Sequence, residues 1–335
     1  MIAATSRFKD LDILRGIAIF LVVFGHITHT AEIRNYIWSF HIPIFFFISG
    51  LLFTPSKYEN FKFFLKYKIK SLVIPYIIFY LITLIYYICI ESHVRGGVSL
   101  TKLIIGLFYG SYYDNYMYFN GALWFLPCLF SMEIIGYSLK FIHRKWSIIL
   151  FSLSIFTTGI ILIQHNITWL PWGINAALCG FIFYSLGFSF QNSFINKIRI
   201  TKVAFLIVVV CSMLQFIFYP FPYTDLATCT IKDPILYIII SCIGILLYLS
   251  ISCIIKQNFI LEYLGLNSLI IFVFQEPIYR IVIFIFAKLL HISVESLRTN
   301  ITLCIIIAIV SILVIIPIIY IYNRWIACQL KQIKI

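Results

Sequence analysis

An all-α, polytopic membrane bundle of about ten transmembrane helices, with both termini cytoplasmic, is the fold class this chain predicts. Three observations carry it. Of 335 residues, 62% are hydrophobic and 11% charged, with a mean hydropathy of +1.02, far outside soluble globular domains. The charges leave uncharged runs at 35–56, 71–90, 146–196, 203–224, 234–255 and 299–323. Each run supplies the ~20 apolar residues that cross a ~30 Å hydrocarbon core, and the longest supplies two spans. The basic residues, finally, are distributed asymmetrically. With the N-terminus inside, 17 Lys and Arg fall on the cytoplasmic side and 6 on the other, the bias that orients membrane proteins.

The spans are placed at 11–29, 37–54, 71–90, 119–139, 146–164, 172–190, 202–219, 233–255, 264–287 and 301–322. Residues 1–335 read as one integral membrane domain, because no loop is long enough to house a soluble catalytic unit. The net charge of +13 is accounted for by topology and by attraction to anionic lipid heads, not by nucleic acid. Asp12 and Arg15 within the first span, and the lack of a small-residue cleavage site after it, predict a retained helix rather than a leader. Seven of nine cysteines fall inside spans and none forms a CxxC pair, so they read as packing residues. No phosphate-cradling glycine loop or HExxH element is present. His26, His29 and His41 lack an evident carboxylate or thiolate co-ligand, so no metal is expected.

The first span, RGIAIFLVVFGH, sets Arg15 and His26 eleven positions apart. At ~100° and ~1.5 Å per residue they share one face, ~16 Å apart. Alone, Arg15 could snorkel and His26 could bond a neighbouring helix. Together, with His29 one turn beyond, they mark an interior functional site. Asp12 and Arg15 are i, i+3 neighbours able to pair. In the second span, SFHIPIFFFISG, His41 sits at a depth comparable with His26 and can face the same cavity. Pro43 is placed in the first turn, where its missing N–H costs little, and Ser49-Gly50 is a small patch for close helix approach.

The stretch 57–70 is strongly basic, with Lys62, Lys66 and Lys70 one turn apart and aromatics between them. It reads as an amphipathic helix on the cytoplasmic face. Residues 100–113 are expected to lie on the membrane or re-enter it, and Pro171-Trp172-Gly173 to form a turn. Glu276 and Arg280 are i, i+4 within the ninth span and read as an intramembrane ion pair. Glu133 in the fourth span can pair with a base, accept sugar hydroxyls or carry a proton.

LDILRGIAIFLVVFGH followed by SFHIPIFFFISGLLF resembles the opening of the acyltransferase 3 family of membrane O-acyltransferases, in particular the branch that acetylates surface polysaccharides. KYKIKSLVIPYIIF, GALWFLPCLF, PWGINAALCGFIFYSLG and LGLNSLIIFVFQEPI are similar to later helices of that family. The resemblance implies an O-acetyltransferase of the cytoplasmic membrane. It implies acetyl-CoA as cosubstrate with no bound cofactor, a glycan or glycolipid acceptor, and polysaccharide-assembly proteins as partners. It gives His26 the part of base or acyl relay and Arg15 that of donor holder, with His41 the second-span histidine. Lys66, Lys68 and Lys70 would help to hold the donor; Trp124, Glu133, Asn175, Gln275 and Glu276 would belong to the acceptor cavity. Two positions depart from the family pattern: Gln275 stands where relatives often carry histidine, and Asn175 where they are often acidic. A transporter of lipid-linked sugars or small anions is the competing class, against which the lack of visible internal repeats counts.

Overall fold

The computed structural model describes residues 9–198 and 201–326. Arg7, Arg199, Lys331 and Lys334, which contribute to the charge asymmetry, lie outside them. The helices are α1 (Lys9–Ile27), α2 (Ala31–Leu52), α3 (Phe61–Arg95), α4 (Leu100–Tyr109), α5 (Gly121–Phe141), α6 (Lys145–Gln164) and α7 (Ile174–Ile198). They continue with α8 (Thr201–Ile217), α9 (Pro234–Ile255), α10 (Phe259–Leu266), α11 (Ser268–Leu290), α12 (Val294–Thr299) and α13 (Ile301–Ile321). Strands β1 (Thr224–Asp225) and β2 (Thr230–Ile231) form a short antiparallel hairpin between α8 and α9.

Among the described residues, eight helices are long and apolar enough to cross a membrane. The other two of the ten expected spans are helical but differ. α1 carries Lys9, Asp10, Asp12 and Arg15, and α8 covers only 17 residues.

α1 lies in the middle of the bundle, packed against α2, α9, α10, α11 and α13. Its Ile13, Leu14, Ala18, Ile19, Val22, Val23 and Ile27 are fully buried. A span with four charges is costly against lipid, and here protein takes the place of lipid around it.

Two helix contacts are backbone-close. A Cβ on Gly16 would come within 2.0 Å of the Leu261 carbonyl oxygen, and one on Gly265 within 1.8 Å of that of Asp12. These two glycines bring α1 onto α10. The same arrangement joins α2 to α7: a Cβ on Gly50 would lie 1.8 Å from the Tyr184 oxygen, and one on Gly187 2.0 Å from that of Phe47. The expected packing role of Gly50 is therefore visible atom by atom.

Two expectations are corrected. Pro43 is not in a first turn: α2 begins at Ala31, so Pro43 lies mid-helix. Its missing N–H releases the carbonyl four residues back, and Ser241 of α9 donates its hydroxyl to that Ser39 oxygen. The basic stretch 57–70 is helical from Phe61, with Phe64 buried and Lys62 and Lys66 exposed as an amphipathic helix requires, but it does not stop at the membrane face. It runs on through wider π turns at Ile69–Val73 and Tyr87–Glu91 into a 35-residue helix, and the first π turn comes just before Pro75, where the regular helical hydrogen bond is lost. The stretch 100–113, expected to lie on the membrane or re-enter it, forms the short helix α4, with Leu103 and Gly106 buried, and the chain beyond it packs into the bundle. Met117, Phe119 and Asn120 are buried.

Replacing Gly50 or Gly265 by Ala is expected to lower the thermal unfolding midpoint, because a methyl group cannot share space with a backbone carbonyl. Overpacking of this kind costs about 1–3 kcal/mol. Gly97, with no atom within 4 Å of its Cβ position, should take Ala with no such loss. Thermal melts of the three purified variants measure the difference.

Candidate functional site

α1 and α2 run antiparallel, and the short link between them places the C-terminal turn of α1 beside the first turns of α2. Arg298 fixes this end of α1. Its Nε donates to the Ile27 carbonyl at 2.8 Å and its NH2 group to the His26 carbonyl at 2.7 Å. A cation bonding the last carbonyls also opposes the negative end of the helix dipole.

His26 and His41 line one cavity of about 180 Å³. Trp38 joins them from α2, Gly121 and Trp124 from α5, Glu276 from α11, Tyr112 from the preceding loop and Asp225 from the hairpin. The His26 ring lies 5.7 Å from the Trp38 ring, centroid to centroid. His41 Nδ1 lies 2.8 Å from the Ile37 carbonyl oxygen. That oxygen can only accept, so Nδ1 carries the proton and Nε2 keeps a lone pair. Among the described residues no hydrogen bond holds the His26 ring.

The roof over the cavity is the β1–β2 turn. Asp225 accepts hydrogen bonds from the Ala227 amide and the Thr228 hydroxyl, both at 2.9 Å. Its place in the site was not foreseen, although a lone acid followed by Leu-Ala-Thr is an Asx-turn signal.

Glu276 is held by a network. Oε2 accepts from the Ala122 amide at 3.0 Å, and Oε1 pairs with Arg280. Arg280 also donates to the Phe119 carbonyl at 2.8 Å and to Glu91 at 3.0 Å, and Arg95 reaches the same Glu91 oxygen at 2.6 Å. The expected Glu276–Arg280 pair is thus half of a four-residue network. Pro277 releases the Val273 carbonyl, and Asn120 donates to it at 2.8 Å, which ties α11 to the turn before α5. Gly121 leaves room for the carboxylate: a Cβ there would lie 3.2 Å from Glu276 Oε2. Glu91 and Arg95 were missed as site residues although they are i, i+4.

Several expected site residues lie elsewhere. Arg15 pairs with Asp12 at 3.5 Å and does not line the cavity. Between it and His26 the shared face of α1 is filled by the buried Ala18, Ile19, Val22 and Val23. Glu133 is not in the cavity. It pairs with Lys68 at 2.8 Å and accepts from Tyr184 at 2.9 Å, because an acid mid-bundle is satisfied by the nearest base. Lys68 is committed to that pair, whereas Lys66 is exposed and Lys70 half-buried.

Asn175 organises the turn before α7, donating to the Ile167 carbonyl at 2.6 Å and accepting from the Leu170 amide at 3.1 Å. Gln275 is fully buried next to Glu276 in sequence, does not line the cavity and leaves both amide atoms without a hydrogen bond. His29 turns away to Glu295 at 2.9 Å. Among the described residues no cluster of three or more metal-binding side chains occurs.

Eight helices of spanning length, arranged around a cavity lined by imidazoles, carboxylates and tryptophans, make this a multi-pass membrane protein. The family profile described as an acyltransferase domain matches residues 8–321. The chain belongs to the acyltransferase 3 family and is a membrane acyltransferase. Comparison with curated proteins gives no match, and neither does comparison with solved structures.

Arg280→Leu should destabilise the protein by about 3–5 kcal/mol, because Glu276 is then left inside the bundle without its cation while Glu91 keeps only Arg95. The double variant Arg280→Leu, Glu276→Gln should recover part of the loss. Unfolding of both in detergent measures the coupling.

Proposed function

We propose that this protein moves an acetyl group from acetyl-CoA to a hydroxyl of a surface glycan or lipid-linked sugar, in the cytoplasmic membrane. The observation that carries the reading is the pair of imidazoles, His26 and His41, in one cavity of an acyltransferase-family bundle. The other walls favour a sugar. Trp38, Trp124 and Tyr112 offer apolar ring faces, while Glu276 and Asp225 offer carboxylate oxygens to hydroxyl groups.

In the transfer step His26 takes the proton of the acceptor hydroxyl as its oxygen attacks the thioester carbonyl. The carbon–sulfur bond breaks, and the departing thiolate receives the proton, leaving an ester and free CoA. His41, with its Nδ1 proton on Ile37, presents Nε2 as a second acceptor that orients the hydroxyl. General-base help of this kind supplies about 10²–10⁴-fold in rate.

The donor comes from the opposite, basic end. Arg15 and Lys66 meet the anionic parts of CoA, with Lys70 beside them; Lys68 pairs with Glu133. The thioester passes the apolar stretch Ala18–Val23 of α1 to reach His26. Proteins of polysaccharide assembly are the expected partners.

Purified protein with labelled acetyl-CoA and the cell's lipid-linked glycans should transfer label. His26→Ala and His41→Ala should lower the rate by about 10²-fold or more with an unchanged melting profile. Full activity in folded His26→Ala would remove that residue from the reaction. A gene deletion should cost the surface polymer one acetyl group per repeat; loss of the whole polymer would point to export instead.

A further inference from the structure

Beside the cavity, on the flank of the bundle, the end of α3 and the second half of α11 enclose a groove of about 580 Å³. Its rim is apolar and open: Ile90, Val94 and Phe284 are 58%, 75% and 54% exposed. Its floor carries charge, because Arg95, Arg280 and Arg298 line it together with Glu91. A surface meant only for lipid tails has no use for three guanidiniums, which are costly there.

Arg280 and Arg95 share Glu91, and Arg280 also holds Glu276. Arg298 bonds only the main-chain carbonyls of His26 and Ile27. Among the described residues it makes no ion pair at contact distance, so no carboxylate neutralises it beyond the carbonyls of the α1 end.

The placement matches an amphiphile. Arg95 closes α3 and Arg298 lies in α12, between the spans α11 and α13, so both sit at the level where helices leave the hydrocarbon. Ile90 and Phe284 lie more than a turn deeper. Guanidinium forks at head-group depth above an apolar slot fit a phosphate followed by a hydrocarbon chain. Glu276 lines the cavity and Arg280 lines the groove, so their ion pair is the partition between the two.

We propose that this groove binds an anionic membrane lipid in which one phosphate is followed directly by a single long hydrocarbon chain, in preference to a zwitterionic phospholipid. The phosphate lies between Arg95 and Arg298, and the chain runs over Ile90 and Phe284. The head group attached to that phosphate is the acceptor, and it reaches His26 past the Arg280–Glu276 partition. This rests on the acyl-transfer reading above and names how its acceptor is anchored.

The test is native mass spectrometry of the full chain in phosphatidylcholine nanodiscs containing a small fraction of a polyprenyl phosphate. Wild-type protein should retain the polyprenyl phosphate in preference to phosphatidylcholine. Val94→Glu, which sets a carboxylate at an exposed rim position, should reduce retention at least tenfold with unchanged melting, and Arg95→Gln should reduce it at least tenfold at a temperature below its own melting point. No preference in the wild type, equal retention by both variants, or equal stabilisation by inorganic phosphate alone would overturn the proposal.

The two readings fail separately. Lipid retention without any acetyl transfer would leave the groove assignment standing and remove the enzymatic one. Transfer to a lipid-linked acceptor at an unchanged rate in Val94→Glu would do the reverse.

Discussion

The burial of α1 is the constraint on which the rest of the structure depends. This helix holds two acids, a lysine and an arginine in its first seven residues, followed by an imidazole at its far end. Lipid cannot solvate such a helix, so five others surround it. Gly16 and Gly265 let α10 approach to backbone contact, and Arg298 ties down the C-terminal carbonyls. Once α1 is central, His26 is interior, and any cavity it lines is necessarily bounded by the neighbours of α1.

Proline and its compensation shape that cavity. Pro43 and Pro277 each interrupt a helix that carries a site residue, His41 on α2 and Glu276 on α11. Each freed carbonyl is taken up from another element: Ser39 by Ser241, and Val273 by Asn120. An unsatisfied carbonyl inside a membrane costs several kcal/mol, so these bonds fix α9 against α2 and the turn before α5 against α11. The places where helices are weakened are therefore the places where the site walls are pinned.

Two of the charged groups in the bundle do different work. Near the basic end, Lys68, Glu133 and Tyr184 form a closed set whose partners are all side chains of the bundle. Near the opposite end, the Glu276–Arg280–Glu91–Arg95 network borders open space on both sides, the cavity on one and the flank groove on the other. The first group holds helices together. The second holds them together and also presents polar groups to whatever enters.

Much of this was legible in the chain. Uncharged run lengths gave the spanning helices, because hydrocarbon thickness sets a length. A helical spacing gave the shared face of Arg15 and His26, and an i, i+4 spacing the Glu276–Arg280 pair. Ten spans were read, eight of which meet a length and composition criterion; α1 and α8 differ because one is charged and the other short.

The sequence by itself determined what local periodicity and composition can determine: helices, their lengths, and pairs within one helix. Only the tertiary structure decided which groups from different helices meet. It brought Asp225 and Tyr112 over the histidines, sent Glu133 to Lys68 and His29 to Glu295, and joined Glu91 to Arg280 across 189 positions. It also buried the apolar side chains of α1 between Arg15 and His26. Such meetings depend on helix order, rotation and tilt, which arise from packing many weakly specific apolar faces at once and leave no fixed spacing in the chain.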